Sequence, residues 1–307
     1  MRTRILAVAC FALMCGAGHA QTTLNYTAIP DVPGSTGGNR ANGINPRGDI
    51  VGHYNDSHGR HGYLFAKGSA GPTPINFSTA PFNTTGGTSA RAINARGDIV
   101  GDYIDSSNLD HGYLLSNGVF TSVDATSLGA IATIPHGLNN AGEIVGAYLD
   151  SASKLHGFFL SKGVFQTIDF PLPAGVAQTR IGGIADDDTM VGVYLDSRGF
   201  AHGFQRSAAG VFTSITDSAA SDTIARGINA EGDIVGSYAD TADLTGEKVV
   251  GSHGFLLSAG DLTDFIAIDF PVEGVQGTQA RGINPRGDIV GAYVDSTGAD
   301  HGFIATR

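Results

Sequence analysis

The chain has 307 residues, 18 of them basic and 29 acidic, for a formal charge of −11; it carries 45 glycines and two cysteines. Such a surface lacks the basic stripe that nucleic acid needs, and an anionic membrane repels it. No stretch beyond the first twenty residues is apolar enough to span a bilayer.

Residues 1–20 read as a secretory signal peptide. Arg2 and Arg4 give a positive start, Ile5 to Met14 form a short apolar run, and Gly18-His19-Ala20 places small residues at the cleavage positions. A lipoprotein would need Cys10 or Cys15 as its acylated residue, yet Cys10 leaves almost no apolar run before it and Cys15 follows the bulky Met14. Residues 21–307 are then a cysteine-free exported chain, with 16 basic residues against 29 acidic ones and a charge of −13. Disulfides and cysteine–metal sites are excluded there, so burial must supply the stability. The expected location is extracellular, or periplasmic in a host with an outer membrane.

After Leu24-Asn25-Tyr26-Thr27-Ala28-Ile29-Pro30-Asp31-Val32-Pro33 the chain repeats one unit six times: GINPRGDIVGHYND, AINARGDIVGDYID, GLNNAGEIVGAYLD, GIADDDTMVGVYLD, GINAEGDIVGSYAD and GINPRGDIVGAYVD. Each copy is followed by a short turn and then His-Gly-aromatic, at His61, His111, His156, His202, His253 and His301. The anchors Asn45, Asn94, Asn139, Ala185, Asn229 and Asn284 lie 49, 45, 46, 44 and 55 residues apart, a spacing that marks a propeller or solenoid.

Each unit divides into four strand-like pieces, in the second unit Arg91–Asn94, Asp98–Ile104, His111–Ser116 and Val119–Asp124. Ala95-Arg96-Gly97 fits a three-residue hairpin loop whose last residue is left-handed, a conformation open to Gly. The Arg-Gly-Asp at residues 47–49, 96–98 and 286–288 is thus read as a hairpin turn and not as an adhesion motif. The third and fifth units keep the turn without the Arg, which makes that Arg dispensable to it.

Four strands in each of six units predict an all-β, six-bladed propeller forming a single domain over 21–307. The last unit stops after its third strand at His301-Gly302-Phe303, while Leu24–Pro33 resembles the fourth strands Phe165–Pro171 and Phe265–Pro271. An N-terminal strand completing the last blade would close the ring and remove two exposed edges. A β-solenoid, the competing architecture, needs no such offset.

The unit GDIVGxYxD followed by His-Gly-Phe/Tyr resembles the HAF-repeat family of extracellular bacterial proteins, over essentially the whole exported chain. The resemblance implies a secreted, repeat-built protein and carries no reaction, cofactor or catalytic residue. Every copy here departs from the His-Ala-Phe of the family's name, with Gly in the middle.

A residue needed in every blade holds the blade together, whereas a single site on a ring needs groups that break the pattern. The six Asp residues after the Tyr (Asp56, Asp105, Asp150, Asp196, Asp240 and Asp295) are therefore read as turn formers bonded to the six His, not as metal ligands or acid–base pairs. Asp186-Asp187-Asp188 is read as a degenerate turn. The position three before the anchor does vary: Asn42, Arg91, His136, Gly182, Arg226 and Arg281. Straight pairing sets Arg91 opposite Gly101, so one reading lays the Arg along the sheet beside Tyr103. In the other, Asn42, Arg91, His136, Arg226 and Arg281 reach the channel mouth and bind an anionic group such as carboxylate or sulfate.

The face carrying the second-to-third-strand turns and the blade crossings is the expected binding face. It also holds an added loop at Ala242–Gly251. Glycosylation acceptor patterns begin at Asn25, Asn76 and Asn83. No catalytic constellation, metal site or cofactor motif is present in the sequence. The expected role is a monomeric extracellular binding or scaffold module for carbohydrate or protein. Its rivals are a polysaccharide lyase or hydrolase working at the channel mouth and a purely structural surface protein.

Overall fold

A computed structural model describes residues 24–77, 87–172, 178–216, 220, 222–239 and 250–307. The residues read as a signal peptide, Asp240, the acceptor patterns at Asn76 and Asn83 in whole or part, and all but the last two residues of the added loop lie outside them. Twenty-four strands form six antiparallel four-stranded sheets arranged as a six-bladed propeller. Among the described residues no helix is long and apolar enough to cross a membrane.

The second blade shows how the repeat folds. Its strands are Thr88–Ile93, Ile99–Ile104, Asp110–Ser116 and Val119–Ser122, so the innermost strand begins three residues earlier than its sequence suggests. At the tight turn the Asn94 side-chain oxygen accepts from the backbone N–H of Arg96 and Asp98 at 3.0 Å, and Gly97 sits at φ +92°. The Asx turn and left-handed Gly expected of this loop are both present.

Two glycines of the unit are required by close approach. The ring of the aromatic after His-Gly (Tyr63, Tyr113, Phe158, Phe204, Phe255, Phe303) lies across the second Gly of GDIVG, and a Cβ there would strike both the ring and a backbone carbonyl. These six aromatics are the largest buried side chains of the blades, each at most 1% exposed. The Gly of His-Gly faces the outermost strand: at Gly112, Gly157 and Gly254 a Cβ would strike the carbonyl of Val123, Ile168 or Ile268. That approach requires Gly in these three units.

Blades meet through aliphatic and aromatic packing. Phe77, Phe170 and Phe270, each at the end of one blade, stack on Tyr103, Tyr194 and Tyr293 of the next at 3.7–4.0 Å between centroids. The ring closes as expected: Asn25–Ala28 pairs antiparallel with Asp300–Thr306, setting Tyr26 opposite Ala305 and Ala28 opposite Phe303. A second latch joins the last blade to the first. Gly38 bridges Asp300, and the Arg40 guanidinium donates to the Asp300 carboxylate at 2.7 and 2.9 Å.

Candidate functional site: the axial channel

Straight pairing fails at one place in every blade. The innermost strand carries a register shift whose extra residue is the position three before the anchor, as between Ala90 and Ala92 or between Ala225 and Gly227. Asn42, Arg91, His136, Gly182, Arg226 and Arg281 are thus the bulged residues. A bulge re-aims its side chain, here toward the propeller axis. Arg91 therefore does not oppose Gly101, which pairs with Ala90. The surface over Gly101 is filled by Tyr113 instead, and Tyr103 stacks on Phe77 and His111. The reading that lays Arg91 along the sheet beside Tyr103 is corrected.

All six bulge positions line one axial cavity of about 40 Å³, together with Arg180. Gly182 leaves its place empty, and Arg180 from two residues upstream fills it. Sequence reasoning missed Arg180; the usable signal was the Arg standing two residues before the one bulge position without a side chain. Four guanidinium groups and the His136 imidazole converge there, and no carboxylate is among the described lining residues. The channel is cationic, not an aromatic groove.

The supports of this ring are buried. Arg91 Nε is ion-paired to Asp102, whose side chain is fully buried. Arg281 donates to Asn42 Oδ1 at 3.2 Å and to Gln279 Oε1 at 2.8 Å, while Asn42 Nδ2 donates to the carbonyl of Ala90 at 2.8 Å. Asp110 sits near Asp102 and is shifted upward by burial first and by the Asp102 charge second. It is not among the residues that line the channel.

Beneath the cations runs a collar of six aliphatic side chains: Ile44, Ile93, Leu138, Ile184, Ile228 and Ile283, each 6–8% exposed. The same six line a separate cavity on the tight-turn side, so the collar divides the channel. An anion entering from the cationic side meets an apolar floor, and low-dielectric walls strengthen its attraction to the guanidiniums.

The Asp–His turns around the rim are closed units. Asp105 Oδ1 accepts from the backbone N–H of Ser107 and Leu109, and its other oxygen faces His111 Nε2 at 3.4 Å. The turn is repeated with Asp150–His156, Asp196–His202 and Asp295–His301. The second ring nitrogen often meets another carboxylate, as His156 Nδ1 meets Asp169 at 2.8 Å. Hydrogen bonds from backbone N–H, that of Leu109 foremost, hold the Asp105 carboxyl below its ordinary range. The structural reading of these turns stands. Among the described residues no group of three or more His, Asp or Glu is arranged to hold a metal ion.

In shape the propeller is similar to a gluconolactonase from Xanthomonas campestris, with 12% identity, a TM-score of 0.54, and coverage of 93% of this chain and 90% of that one. It is also similar to a sialidase from Trypanosoma rangeli, at 9% identity and a TM-score of 0.52, covering 86% of this chain and 54% of that one. TolB from Acinetobacter baumannii matches at 11% identity and a TM-score of 0.49, over 84% and 63% of the two chains. The chain thus spans less than two thirds of the length of the last two. At these identities the likeness shows the fold alone. No family model and no curated protein matches the sequence.

Proposed function

We propose that this protein is a secreted binding module whose channel mouth takes an anionic group, carboxylate or sulfate, displayed on an extracellular carbohydrate or protein. The observation that carries the reading is the convergence of Arg91, Arg180, Arg226 and Arg281 on one axial cavity whose described lining holds no carboxylate. Guanidinium groups match planar and tetrahedral oxyanions through paired N–H donors. The small cavity admits a single charged group, so the rest of the ligand would rest on the surrounding face. HAF-type repeats and the leader sequence support export.

The test is retention of the exported chain on sulfated and uronic-acid matrices. Replacing Arg91, Arg226 and Arg281 together with Ala should abolish retention at low salt. A folded triple variant that is retained like the parent would refute the reading.

A further inference from the structure

A second cavity, of about 160 Å³, lies off the axis on the same face, between the start of the first blade and the edge of the last. Arg40, His53, Tyr54, Arg60 and Asp300 line it, with the backbone of Gly37 and Gly38. Its volume is about ten times the ~15 Å³ that one water needs. Three of these side chains break the repeat. Where the first blade has Arg60, the others have Asp110, Leu155, Ala201, Ser252 and Asp300; where it has His53, they have Asp102, Ala147, Val193, Ser237 and Ala292. Arg40 likewise recurs as Arg only at Arg180.

The chemistry is two-sided. Arg60 lines the cavity with a side chain 23% exposed, and its Nη2 faces Asp102 Oδ2 at 3.6 Å, beyond hydrogen-bond range. Asp300 supplies acceptor oxygens to the same space while fixing Arg40. A bare inorganic anion would use the guanidinium and be repelled by Asp300, whereas a hydroxylated ligand with one carboxylate satisfies both.

We propose that this cavity is a binding site for a carboxylate-bearing sugar unit of the uronate class. Arg60 would pair with the carboxylate, and Asp300 would accept from ring hydroxyls. Two side-chain chains tie the site to the axis: Arg60–Asp102–Arg91 and His53–Asn42–Arg281, the His53 ring lying 3.1 Å from Asn42 Nδ2. An acidic polysaccharide could therefore engage the axis with one unit and this pocket with another. The proposal extends the acidic-ligand reading of the channel but depends on different residues.

The experiment titrates the purified full chain with glucuronate, glucose and inorganic sulfate, by calorimetry and by NMR of the His53 imidazole. At the off-axis cavity glucuronate should bind at least about tenfold more tightly than either control, since hydrogen bonds to a charged group are worth a factor of ten or more. It should also shift the His53 ring signals, a readout on the parent protein that no variant needs to support. Arg60→Gln should weaken glucuronate at the His53 signals by about tenfold or more, while Arg47→Ala on the tight-turn face, whose side chain pairs with Asp49, should change it less than about twofold. Sulfate perturbing the His53 signals as tightly as glucuronate does, His53 signals unmoved at glucuronate saturation, or an Arg60→Gln variant whose His53 signals respond as the parent's do would each overturn the proposal. None of these results bears on matrix retention through the axial arginines, which the triple variant measures separately.

Discussion

The two faces of the disc are built by opposite rules. On the tight-turn face most blades repeat the same wiring, and the wiring runs from blade to blade. Asn94 Nδ2 donates to the Asn139 carbonyl at 3.3 Å, Asn229 to Asn284 at 3.2 Å, and Asn284 to Asn45 at 3.2 Å, which carries the circuit across the closure. The Arg of each Arg-Gly-Asp belongs to it too. Arg47 pairs with its own Asp49 at 2.8 Å and donates to the Ala95 carbonyl, and Arg96 and Arg286 reach Asn140 and Pro46 in the same way. On the other face the bulge positions vary among Asn, Arg, His and Gly, and there the cations gather. Uniformity marks the girdle that holds the ring; variation marks the surface free to recognise something.

The largest test of this contrast is its exception, the closure latch, which lies on the variable face yet is structural. Gly38 has φ +84°, and a Cβ there would overlap the Asp300 carbonyl. Gly38→Ala should cost about 3–5 kcal/mol in urea unfolding, because it strains the backbone and pushes Asp300 away from Arg40. A loss under about 1 kcal/mol would mean that the ring is not sealed there. Next in size is a girdle residue. Asn229 is 4% exposed, accepts from the Asp233 N–H at 2.8 Å, and holds Asn284. Asn229→Ala should lower stability by about 2–3 kcal/mol, with ligand retention unchanged per folded molecule. Arg226→Ala on the opposite face should do the reverse, weakening retention while stability moves by less than about 1 kcal/mol, since it removes one of four like charges.

The same contrast explains what was legible in the sequence. Period, blade number and closure are written in copies, and the match between Leu24–Pro33 and the outer strands predicts the seal that Asn25–Ala28 makes. The channel residues were legible as pattern breakers, but their direction was not. A one-residue bulge leaves the local alternation almost intact and shows itself only in the hydrogen-bond register, so counting from Asn94 put Arg91 over Gly101. Arg180 was hidden for the same reason. The turn arginines were undervalued because a bond to a neighbouring blade has no local signature; the third unit, without that Arg, keeps the turn and joins the next blade through Asn140, which donates to Asp186 at 2.8 Å.

The fourth blade is where the girdle is weakest, and it supplies a pH-dependent test. Asp188 stands where other units have Gly, at φ +67°. Its carboxyl is shifted upward, first by a hydrogen bond with Glu143 of the preceding blade, while Glu143 is shifted downward, with burial opposing and the Asp188 bond leading the lowering. The two titrate as a pair. Because the Asp188 shift is upward, its contribution is present below the ordinary carboxylate range and is lost as pH rises through its folded-state value. Asp188→Gly should therefore stabilise by about 1 kcal/mol from backbone relief, with a larger gain at pH 7 than at pH 4. Melting curves showing an equal or larger gain at pH 4 would rule out that coupling.

The smallest effect expected is a gain from repairing the girdle at the same place. Ala185 replaces the anchor Asn, yet its backbone keeps the anchor's geometry. Its N–H donates to the Thr189 carbonyl at 2.9 Å, its carbonyl accepts from Asp188 N–H at 3.2 Å, and that carbonyl also accepts Asn139 Nδ2 at 3.4 Å. What is missing is the outgoing side-chain amide, the group that at the other anchors closes the Asx turn and reaches the following blade. Ala185 is 6% exposed, so an amide introduced there enters a nearly closed site and is favourable only if it finds partners. The Asn229 carbonyl, one blade on, corresponds to the Asn139 carbonyl that receives Asn94. Ala185→Asn should thus add about 0.5–1 kcal/mol, and the gain should vanish when Asp188 is also Gly if both act only by relaxing the same turn. A gain that persists in the double variant places the new bond between blades, where the uniform face keeps all its others.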